Sequence, residues 1–278
     1  MGKGSPTPKK AQNKRYDRII GLITDFGNED YYVGVLKGVI KKINPAVEII
    51  DIANDIPSYE IPSASFIIDK TFRFFPGNTI FLVVVDPGGG TSRPLLLAQR
   101  AGQYFIAPDN GVLTPILQMP GTYISEFCNE DYFLLRGHST FEARDKMAPA
   151  AAYLAAGVDP GKMTSPVHSY KAAPTYYPQS FGDIIEGRIA YIDKFGNIIT
   201  NVTADFLFTA LKESRKKNFK TIIKDKEITG FFKTYAESGC EPFMLIGSHD
   251  NLEIAINRNS AASCFDAFIS QPLTIEFF

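Results

Sequence analysis

The sequence predicts an α/β fold: an N-terminal domain with a mainly parallel sheet and helices on both faces, followed by a smaller β-rich C-terminal domain. In residues 18–158, apolar runs typical of strands alternate with segments of helical hydrophobic spacing, the pattern of a parallel sheet covered by helices. Four prolines among Ser, Lys and Tyr make residues 159–184 a predicted linker. Residues 185–278 hold short apolar runs separated by turn residues, which favours a β-rich domain.

Local signals predict each element. A helix is expected over residues 30–43, because apolar residues recur there at helical spacing and Asn44-Pro45 then stops it. The strand predicted at 79–85 contains six consecutive apolar residues, as expected of a strand buried on both faces. Pro62 can occupy the first turn of a helix that runs to about Phe75. The other N-terminal elements are strands at 19–24 and 47–50, strands at 95–98 and 104–107 that are predicted to form a hairpin around Gly102, a short helix after a turn at 108–111 and a helix at 144–156. The C-terminal strands are expected at 187–192, 198–202, 221–223, 243–246, 252–256 and 273–277, with a helix near 203–213.

The charge distribution separates a basic tail from an acidic body. Residues 1–17 are rich in Gly, Ser, Pro and Lys and are predicted to be a disordered basic tail. Beyond Arg18, 23 basic and 29 acidic side chains remain, which argues against nucleic acid as a partner. No apolar run approaches the ~18 residues of a membrane span, so no membrane partner is expected.

The cysteines and histidines predict neither a metal site nor a disulfide framework. Three cysteines and three histidines are present, and neither set has the spacing of zinc ligands. The cysteines are expected to be reduced and mostly buried. With no apolar segment resembling a secretory signal in the tail, a cytoplasmic location is expected.

Asp86 and Arg93 are candidate site residues. Asp86 ends the buried strand at 79–85, and Pro87 and three glycines then turn the chain before Arg93 returns a positive charge. In an open α/β sheet, ligands bind just outside the carboxyl ends of such strands. The alternative interpretation is a turn with a surface ion pair.

Asp25 follows the first strand, at 19–24, in the segment Thr24-Asp25-Phe26-Gly27. A carboxylate at this place can accept hydrogen bonds from two vicinal hydroxyls, such as those of a ribose. The alternative is an N-cap for the helix that starts near Asp30. If the two strands are neighbours, Asp25 and Asp86 converge on one crevice.

Two further segments combine polar groups with turn signals. Residues 139–145 precede the Ala-rich helix, whose N-terminus would favour an anion or polar ligand; alternatively Ser139 or Thr140 only caps it. Residues 192–197 place an acid, an aromatic ring and an amide in one turn, or simply form a hairpin. Motifs of P-loop proteins, dinucleotide-binding folds and serine hydrolases are missing from the sequence.

Together these segments resemble the S-adenosyl-L-methionine hydroxide adenosyltransferases, relatives of the fluorinating and chlorinating enzymes. The resemblance runs from about Arg18 to the C-terminus. It rests on Thr24-Asp25-Phe26-Gly27, Asp86-Pro87-Gly88 with Thr91-Ser92-Arg93, Ala107-Pro108-Asp109-Asn110-Gly111, Thr140-Phe141 with Arg144-Asp145, Ile192-Asp193 with Phe195-Gly196-Asn197, and Leu252-Glu253-Ile254-Ala255. It implies hydrolysis of S-adenosyl-L-methionine to adenosine and L-methionine without a metal or cofactor.

The resemblance also implies a homotrimer whose active sites lie between the N-terminal domain of one subunit and the C-terminal domain of the next. Asp86 and Arg93 would position the attacking water, and Arg93 would keep Asp86 charged. The implied substrate contacts are Asp25 to the ribose hydroxyls, Tyr59 near the ribose, Asp30, Asp193 and Ser248 to the methionine amine and carboxylate, and Phe195, Asn197 and the backbone near Asn259 and Ser260 to adenine.

The sequence departs from the family pattern at two places. Gly89 stands where the family's Asp-Pro-Gly motif continues with Val. Glu142 stands where the hydrolases carry a His that completes a set with Asp86 and Arg93; either Glu142 or His138 can take over that role.

Three alternatives to a hydrolase stay open. One is a halide-dependent adenosyltransferase, although Asp86 stands where the halogenating relatives carry Tyr, and a carboxylate repels halide. Another, favoured by Glu142, is a protein that binds S-adenosylmethionine or adenosine without turnover. The third is an α/β protein that binds some other nucleoside.

Overall fold

The computed structural model describes residues 18–173 and 177–278; the predicted tail at 1–17 lies outside the described residues. The N-terminal elements are β1 (Ile19–Thr24), α1 (Tyr32–Ile43), β2 (Glu48–Ala53), α2 (Ile61–Thr71), β3 (Ile80–Val84), β4 (Leu95–Arg100), β5 (Gln103–Pro108), α3 (Thr114–Leu117), β6 (Tyr123–Phe127), α4 (Ala148–Ala155) and β7 (Thr164–Pro166). The C-terminal elements are β8 (Gln179–Phe181), β9 (Ile184–Ile192), β10 (Ile198–Thr203), α5 (Ala204–Ser214), β11 (Phe219–Ile223), β12 (Lys226–Ile228), β13 (Phe243–Ile246), β14 (Asn251–Ala255), α6 (Ala261–Phe265) and β15 (Pro272–Phe277).

The first sheet is mixed, so the prediction of a mainly parallel sheet is wrong. Its order is β2-β1-β3-β5-β4-β6-β7. The pairs among β2, β1, β3 and β5 are parallel, whereas β4, β6 and β7 pair antiparallel. The antiparallel half arises because Ala101 and Gly102, both with positive φ, close a tight hairpin between β4 and β5. Strands β6 and β7 then extend that edge, and they are too short and too exposed to give a clear hydrophobic pattern.

Helices cover both faces of this sheet. On one face, α1 and α4 pack against β1 and β3 through side chains that include Leu36, Ile40 and Leu154. On the other face, α2 and α3 contribute Ile68 and Ile116 to a second core. Strand β3 is buried along its whole length between the two cores, as its apolar run predicts.

The C-terminal domain is an antiparallel sheet that nearly closes into a barrel. Its order is β12-β11-β15-β9-β10-β14-β13, with β8 paired to β9. The edges meet because the segment after β12 bonds to β13: the Met244 amide donates to the Gly230 carbonyl at 2.7 Å, and the Phe232 amide donates to the Met244 carbonyl at 2.9 Å. The interior is filled by apolar side chains such as Ile185, Ile198 and Ile275.

The two domains touch through α2 and β9. The ring of Phe66 on α2 stacks on Tyr191 of β9, with centroids 5.2 Å apart and planes 10° from parallel. Phe66 also meets the edge of His249, which follows β13. This aromatic contact joins the N-terminal sheet to the loops at one end of the barrel.

The expectation of mostly buried cysteines is wrong. Cys128, Cys240 and Cys264 are all free and exposed. Cys264 lies on α6 between the buried residues Ala261 and Phe265, yet its own side chain is exposed, and the spacing of the cysteines along the chain does not predict such exposure. Within the described residues, no helix is long and apolar enough to cross a membrane.

Candidate active site

Asp25 and Asp86 follow neighbouring parallel strands, as the sequence predicts. Thr24 of β1 lies opposite Val84 of β3, and the Asp25 amide donates to the Val84 carbonyl at 3.3 Å. The chain passes from β1 to β2 on one side and reaches β3 on the other, so the order reverses between β1 and β3. Ligands of open α/β sheets bind at such a reversal, outside the carboxyl ends of the strands.

Arg93 bridges two carboxylates. Its Nε donates to Asp86 Oδ1 at 3.0 Å, and its Nη2 donates to Asp86 Oδ2. Its Nη1 donates to Glu142 Oε2 at 2.7 Å. The Gly88 amide adds a hydrogen bond to Asp86 Oδ1 at 3.1 Å. The pair of Asp86 and Arg93 is therefore largely buried and bidentate, unlike a surface ion pair.

Lys146 completes this cluster and was missed at the sequence level. Its Nζ donates to Glu142 Oε1 at 2.9 Å, and Glu142 is only 8% exposed. Burial alone would raise the pKa of Glu142, but the hydrogen bonds from Lys146 and Arg93 outweigh it and hold that pKa below its ordinary value. The spacing of four residues on a helical segment is the signal that could have revealed the pair.

Glu142 directly precedes a π-helical turn, Ala143–Met147, which leads into α4. Such turns are frequent at functional sites, because the wider turn redirects side chains. Asp145 in this turn is buried; it accepts from Ser139 Oγ at 2.5 Å and from the Arg144 guanidinium. The hydrogen bond from Arg144 lowers the pKa of Asp145.

Of the two groups that could stand in for the family's His, only Glu142 reaches the cluster. His138 is exposed. Within the part of the chain that the structure describes, it has no hydrogen bond or ion pair with Asp86, Arg93 or Glu142.

Asn110 is a second residue of this cluster that was not among the predicted site residues. Its Nδ2 donates to the Val85 carbonyl at 2.8 Å and approaches Asp86 Oδ1 at 3.4 Å. It therefore fixes the end of β3 and the carboxylate that follows. The motif Ala107-Pro108-Asp109-Asn110-Gly111 contained the signal, but its role depends on the β5 strand lying beside β3.

Asp25 is held by the backbone of Tyr59. The Tyr59 amide donates to Asp25 Oδ2 at 2.8 Å, in a left-handed conformation with φ of 68°. Burial raises the pKa of Asp25, and this hydrogen bond opposes the change. Asp25 does not cap α1, because the helix begins at Tyr32 and has no side-chain cap. The Tyr59 side chain is 66% exposed and Asp30 is also exposed, so both present polar groups to the surface.

The C-terminal candidates form a second group around the turn after β9. Asp193 Oδ1 accepts from the amides of Phe195 and Asn197 at 2.9 Å each, and Oδ2 accepts from Asn197 Nδ2 at 2.9 Å. The loop of Asn259 and Ser260 touches this turn.

That contact requires glycine. A Cβ on Gly196, which has φ of 81°, would lie 2.9 Å from Ser260 Cα. Asn197 is buried, whereas the Phe195 ring is 67% exposed. Ser248 is exposed on the β13–β14 loop. The turn therefore offers an aromatic face beside fixed polar groups.

No described polar contact joins the two groups within one chain. Among the described residues, no hydrogen bond or ion pair joins the cluster of Asp25, Asp86 and Glu142 to the turn of Asp193. Two cavities, of about 830 Å³ at the domain contact and about 930 Å³ beside α1 and α4, contain none of the predicted site residues. Nor do three or more His, Cys, Asp or Glu side chains converge on a metal position anywhere in residues 18–173 or 177–278.

Two models of one protein family match the chain. Residues 20–164 match the SAM hydroxide adenosyltransferase N-terminal domain, and residues 187–274 match the C-terminal domain of the same family. The chain belongs to the SAM hydroxide adenosyltransferase family. The cluster at the end of β3 falls in the first matched domain, and the Asp193 turn falls in the second.

Members of this family and related structures match most of the chain. A protein named (R)-S-adenosyl-L-methionine hydrolase from Methanocaldococcus jannaschii is 31% identical over 88% of this chain and 90% of its own length. A fluorinase from an Actinoplanes species is 28% identical over 92% of this chain and 96% of its own. The crystal structure of an uncharacterized conserved protein from Thermotoga maritima has a TM-score of 0.85 and 33% identity, covering 92% of this chain and 99% of that one.

Proposed function

We propose that this protein hydrolyses S-adenosyl-L-methionine to adenosine and L-methionine. The observation that carries the proposal is the buried cluster of Asp86, Arg93 and Glu142, placed beside Asp25 where the strand order reverses. Relatives named (R)-S-adenosyl-L-methionine hydrolase, at about 30% identity over most of the chain, support it.

In the proposed reaction, water attacks the ribose C5′ in line with the bond to sulfur. The new O–C5′ bond forms as the C5′–S bond breaks, and the electron pair goes to sulfur, which leaves as a neutral thioether. The proton of the water passes to a carboxylate. Since the leaving group is already a sulfonium, it needs no metal or cofactor to activate it. Charge is neutralised along this path, so a site with little water favours it.

Asp86 is the proposed acceptor for the water. Its Oδ1 receives several donors, whereas Oδ2 accepts only from Arg93 among the described contacts, which leaves a lone pair for water. Glu142 also has one described donor on each oxygen. The two carboxylates and the two cations Arg93 and Lys146 balance to zero, so the cluster can stay ionised although it is buried.

The substrate contacts are proposed by family resemblance, together with the positions in the structure. Asp25 would hold the ribose hydroxyls, and its one described donor leaves acceptor capacity for them. Other proposed contacts are Tyr59 to the ribose, Asp30, Asp193 and Ser248 to the methionine end, and Phe195, Asn197, Asn259 and Ser260 to adenine.

A product assay tests this function against its alternatives. The purified protein is incubated separately with the two sulfonium epimers of S-adenosylmethionine, with EDTA and with added chloride, and products are separated by chromatography. We expect adenosine and methionine, unaffected by EDTA or chloride. 5′-Chloroadenosine as the main product would favour a halide-dependent enzyme, and binding without any product would favour a binding protein.

Substitution of Glu142 by glutamine is expected to lower kcat by about 10²-fold while ligand affinity stays nearly unchanged. Glu142 is proposed as a second base beside Asp86; Gln keeps its shape but loses that function, and general-base assistance is worth ~10²–10⁴-fold. Arg93 and Lys146 hold the pKa of Glu142 below 4.5, the ordinary glutamate value. Protonation of Glu142 should therefore not reduce wild-type activity until the pH drops below that value. Steady-state kinetics check this prediction. The control is Glu186→Gln, which changes an exposed carboxylate on β9. An unchanged kcat would mean that Glu142 takes no part in the reaction and only precedes a helical turn.

We further propose a homotrimer in which each active site joins the N-terminal group of one subunit to the C-terminal group of the next. Two observations support this arrangement: no described hydrogen bond or ion pair joins the two groups within one chain, and neither cavity is lined by them. We also propose a cytoplasmic location, because the three cysteines are free thiols, as is usual in reducing compartments.

Mixing two inactive variants tests the shared site. Asp86→Asn has a damaged N-terminal group, and Asp193→Ala has a damaged C-terminal group. Coexpressed in equal amounts, they should recover about a quarter of the wild-type rate, since random assembly of a cyclic trimer leaves that share of sites intact. As control, Asp86→Asn mixed with the double variant should stay inactive. No recovery in the first mixture would place both groups of a site in one subunit.

A further inference from the structure

A buried carboxyl group lies at the end of the barrel that carries the candidate site. Glu253 on β14 is 3% exposed and, among the described residues, has no ion pair with a lysine or arginine. The Tyr235 hydroxyl is hydrogen-bonded to Glu253 Oε1, and His249 Nε2 lies 3.9 Å from Oε2. The proposed reaction uses none of these three side chains. A buried carboxyl group without a cation costs stability, which points to a local role.

Glu253, which accepts from Tyr235, and His249 within the loop itself pack against the backbone next to Ser248. A Cβ on Gly247 would lie 2.5 Å from Glu253 Oε2 and 2.5 Å from His249 Cε1, so the loop backbone rests directly on both. The loop is a tight turn: the Gly247 amide donates to the Asn251 carbonyl at 2.9 Å, and the Asp250 amide donates to the Gly247 carbonyl at 3.0 Å. Moving Glu253 would therefore move the backbone next to Ser248.

The N-terminal domain holds the same cluster from the other side. Phe66 of α2 meets His249 edge-on at 5.7 Å and stacks on Tyr191 at 5.2 Å. His249 Nδ1 is buried without a hydrogen-bond partner, so packing rather than hydrogen bonding fixes this ring. The loop thus packs against Glu253 of β14 and, through His249, against Phe66 of α2.

We propose that Tyr235, Glu253 and His249 are positioning residues that fix the Ser248 loop for the methionine end of the substrate. The proposal rests on the function proposed above. The Asp193 turn is held independently, by its own hydrogen bonds and by the contact of Gly196 with Ser260. The adenine contacts Phe195 and Asn197 therefore keep their hydrogen bonds without the cluster, and we expect the cluster to act mainly on the methionine end.

The pKa directions of Glu253 and His249 agree with side chains that act through packing and hydrogen bonds. Burial raises the pKa of Glu253, the hydrogen bond from Tyr235 opposes this, and the charge of Asp193 raises it further. Burial and the nearby Lys70 lower the pKa of His249, while Asp193 acts in the opposite direction. Because Glu253 Oε1 accepts a hydrogen bond from the Tyr235 hydroxyl and the amide oxygen of Gln can accept the same bond, Gln is expected to replace Glu253 well.

Two probes separate the ends of the substrate. Sinefungin carries both the adenosine and the amino-acid part and has no sulfonium to cleave, whereas adenosine lacks the methionine end. Tyr235→Phe should lower the affinity for sinefungin about fivefold, the effect of losing one hydrogen bond, and change the affinity for adenosine less than twofold. Titration calorimetry measures both affinities. Glu253→Ala should lower the affinity for sinefungin at least as much, whereas Glu253→Gln should retain most of that affinity. Tyr123→Phe, another half-exposed tyrosine but on β6, is the matched control.

The proposal would be overturned if Tyr235→Phe lowered the affinities for sinefungin and adenosine equally, or if it left the affinity for sinefungin unchanged. If Glu253→Ala does not fold, Tyr235→Phe decides alone, because it removes only a hydroxyl. The probes report binding, so these results stand whether or not the protein turns over S-adenosylmethionine. A failure of the proposed function would show instead in the product assay.

Discussion

Replacement of Arg93 by leucine is expected to lower the free energy of unfolding by about 3 kcal/mol at neutral pH. Removal of one partner from a buried ion pair costs about 3–5 kcal/mol, because it leaves a buried charge without compensation. Here one guanidinium serves both Asp86 and Glu142, and all three side chains are close to 10% exposed. Leucine fills part of the volume but satisfies neither carboxylate.

The pH dependence of this loss has a definite sign. Arg93 and Lys146 lower the folded-state pKa of Glu142, so their interactions stabilise the fold above the ordinary carboxylate pKa and are lost as the pH falls through the lowered one. The difference between wild type and Arg93→Leu should therefore be largest near neutral pH and shrink in acid.

Urea unfolding over this pH range checks the prediction. Arg136→Leu, which breaks a pair with Asp131 that is mostly exposed, is the control and should cost less than about 1 kcal/mol. A loss for Arg93→Leu no larger than that of the control would contradict a buried, charge-balanced cluster.

Asp86→Asn should have the largest effect on turnover. Asparagine keeps the shape at the end of β3 but cannot take the proton of the attacking water, so kcat should fall by about 10²–10⁴-fold. Sinefungin affinity should change little. In Asp25→Ala, by contrast, KM should rise more than kcat falls, because ribose hydroxyls are present equally in the ground and transition states. A kcat for Asp86→Asn within threefold of wild type, where about 10²-fold is expected, would remove Asp86 from the proposed mechanism.

The sequence was sufficient to predict the strands that place Asp25 and Asp86. Both strands are apolar along their length and end in turn residues, and these local signals determine which residues lie at the carboxyl ends of the sheet. The closeness of Arg93 to Asp86 also follows from a short glycine-rich turn.

Other features depend on tertiary contacts that no local pattern reports. The extension of the antiparallel half beyond the β4–β5 hairpin depends on β6 and β7, which are short and partly exposed. Glu253 and Tyr235 meet across 18 positions of the chain. The pairing of Glu142 with Lys146 is local, yet its importance depends on Arg93 reaching the same carboxylate from another strand's turn.

Glu142 occupies the cluster without leaving an unpaired buried charge. Its carboxylate adds a second negative charge beside Asp86, and both carboxylates contact Arg93. Lys146, one helical turn further on, supplies the matching positive charge. The cluster therefore keeps a charge balance of zero.

Turnover in ¹⁸O-labelled water tests the central claim most directly. The purified protein is incubated with S-adenosylmethionine in labelled water, and both products are analysed by mass spectrometry. Attack of water on C5′ predicts adenosine that carries the heavy oxygen on its 5′ hydroxyl, together with unlabelled methionine. Unlabelled adenosine, a halogenated nucleoside, or adenine released by attack at another ribose carbon would contradict it.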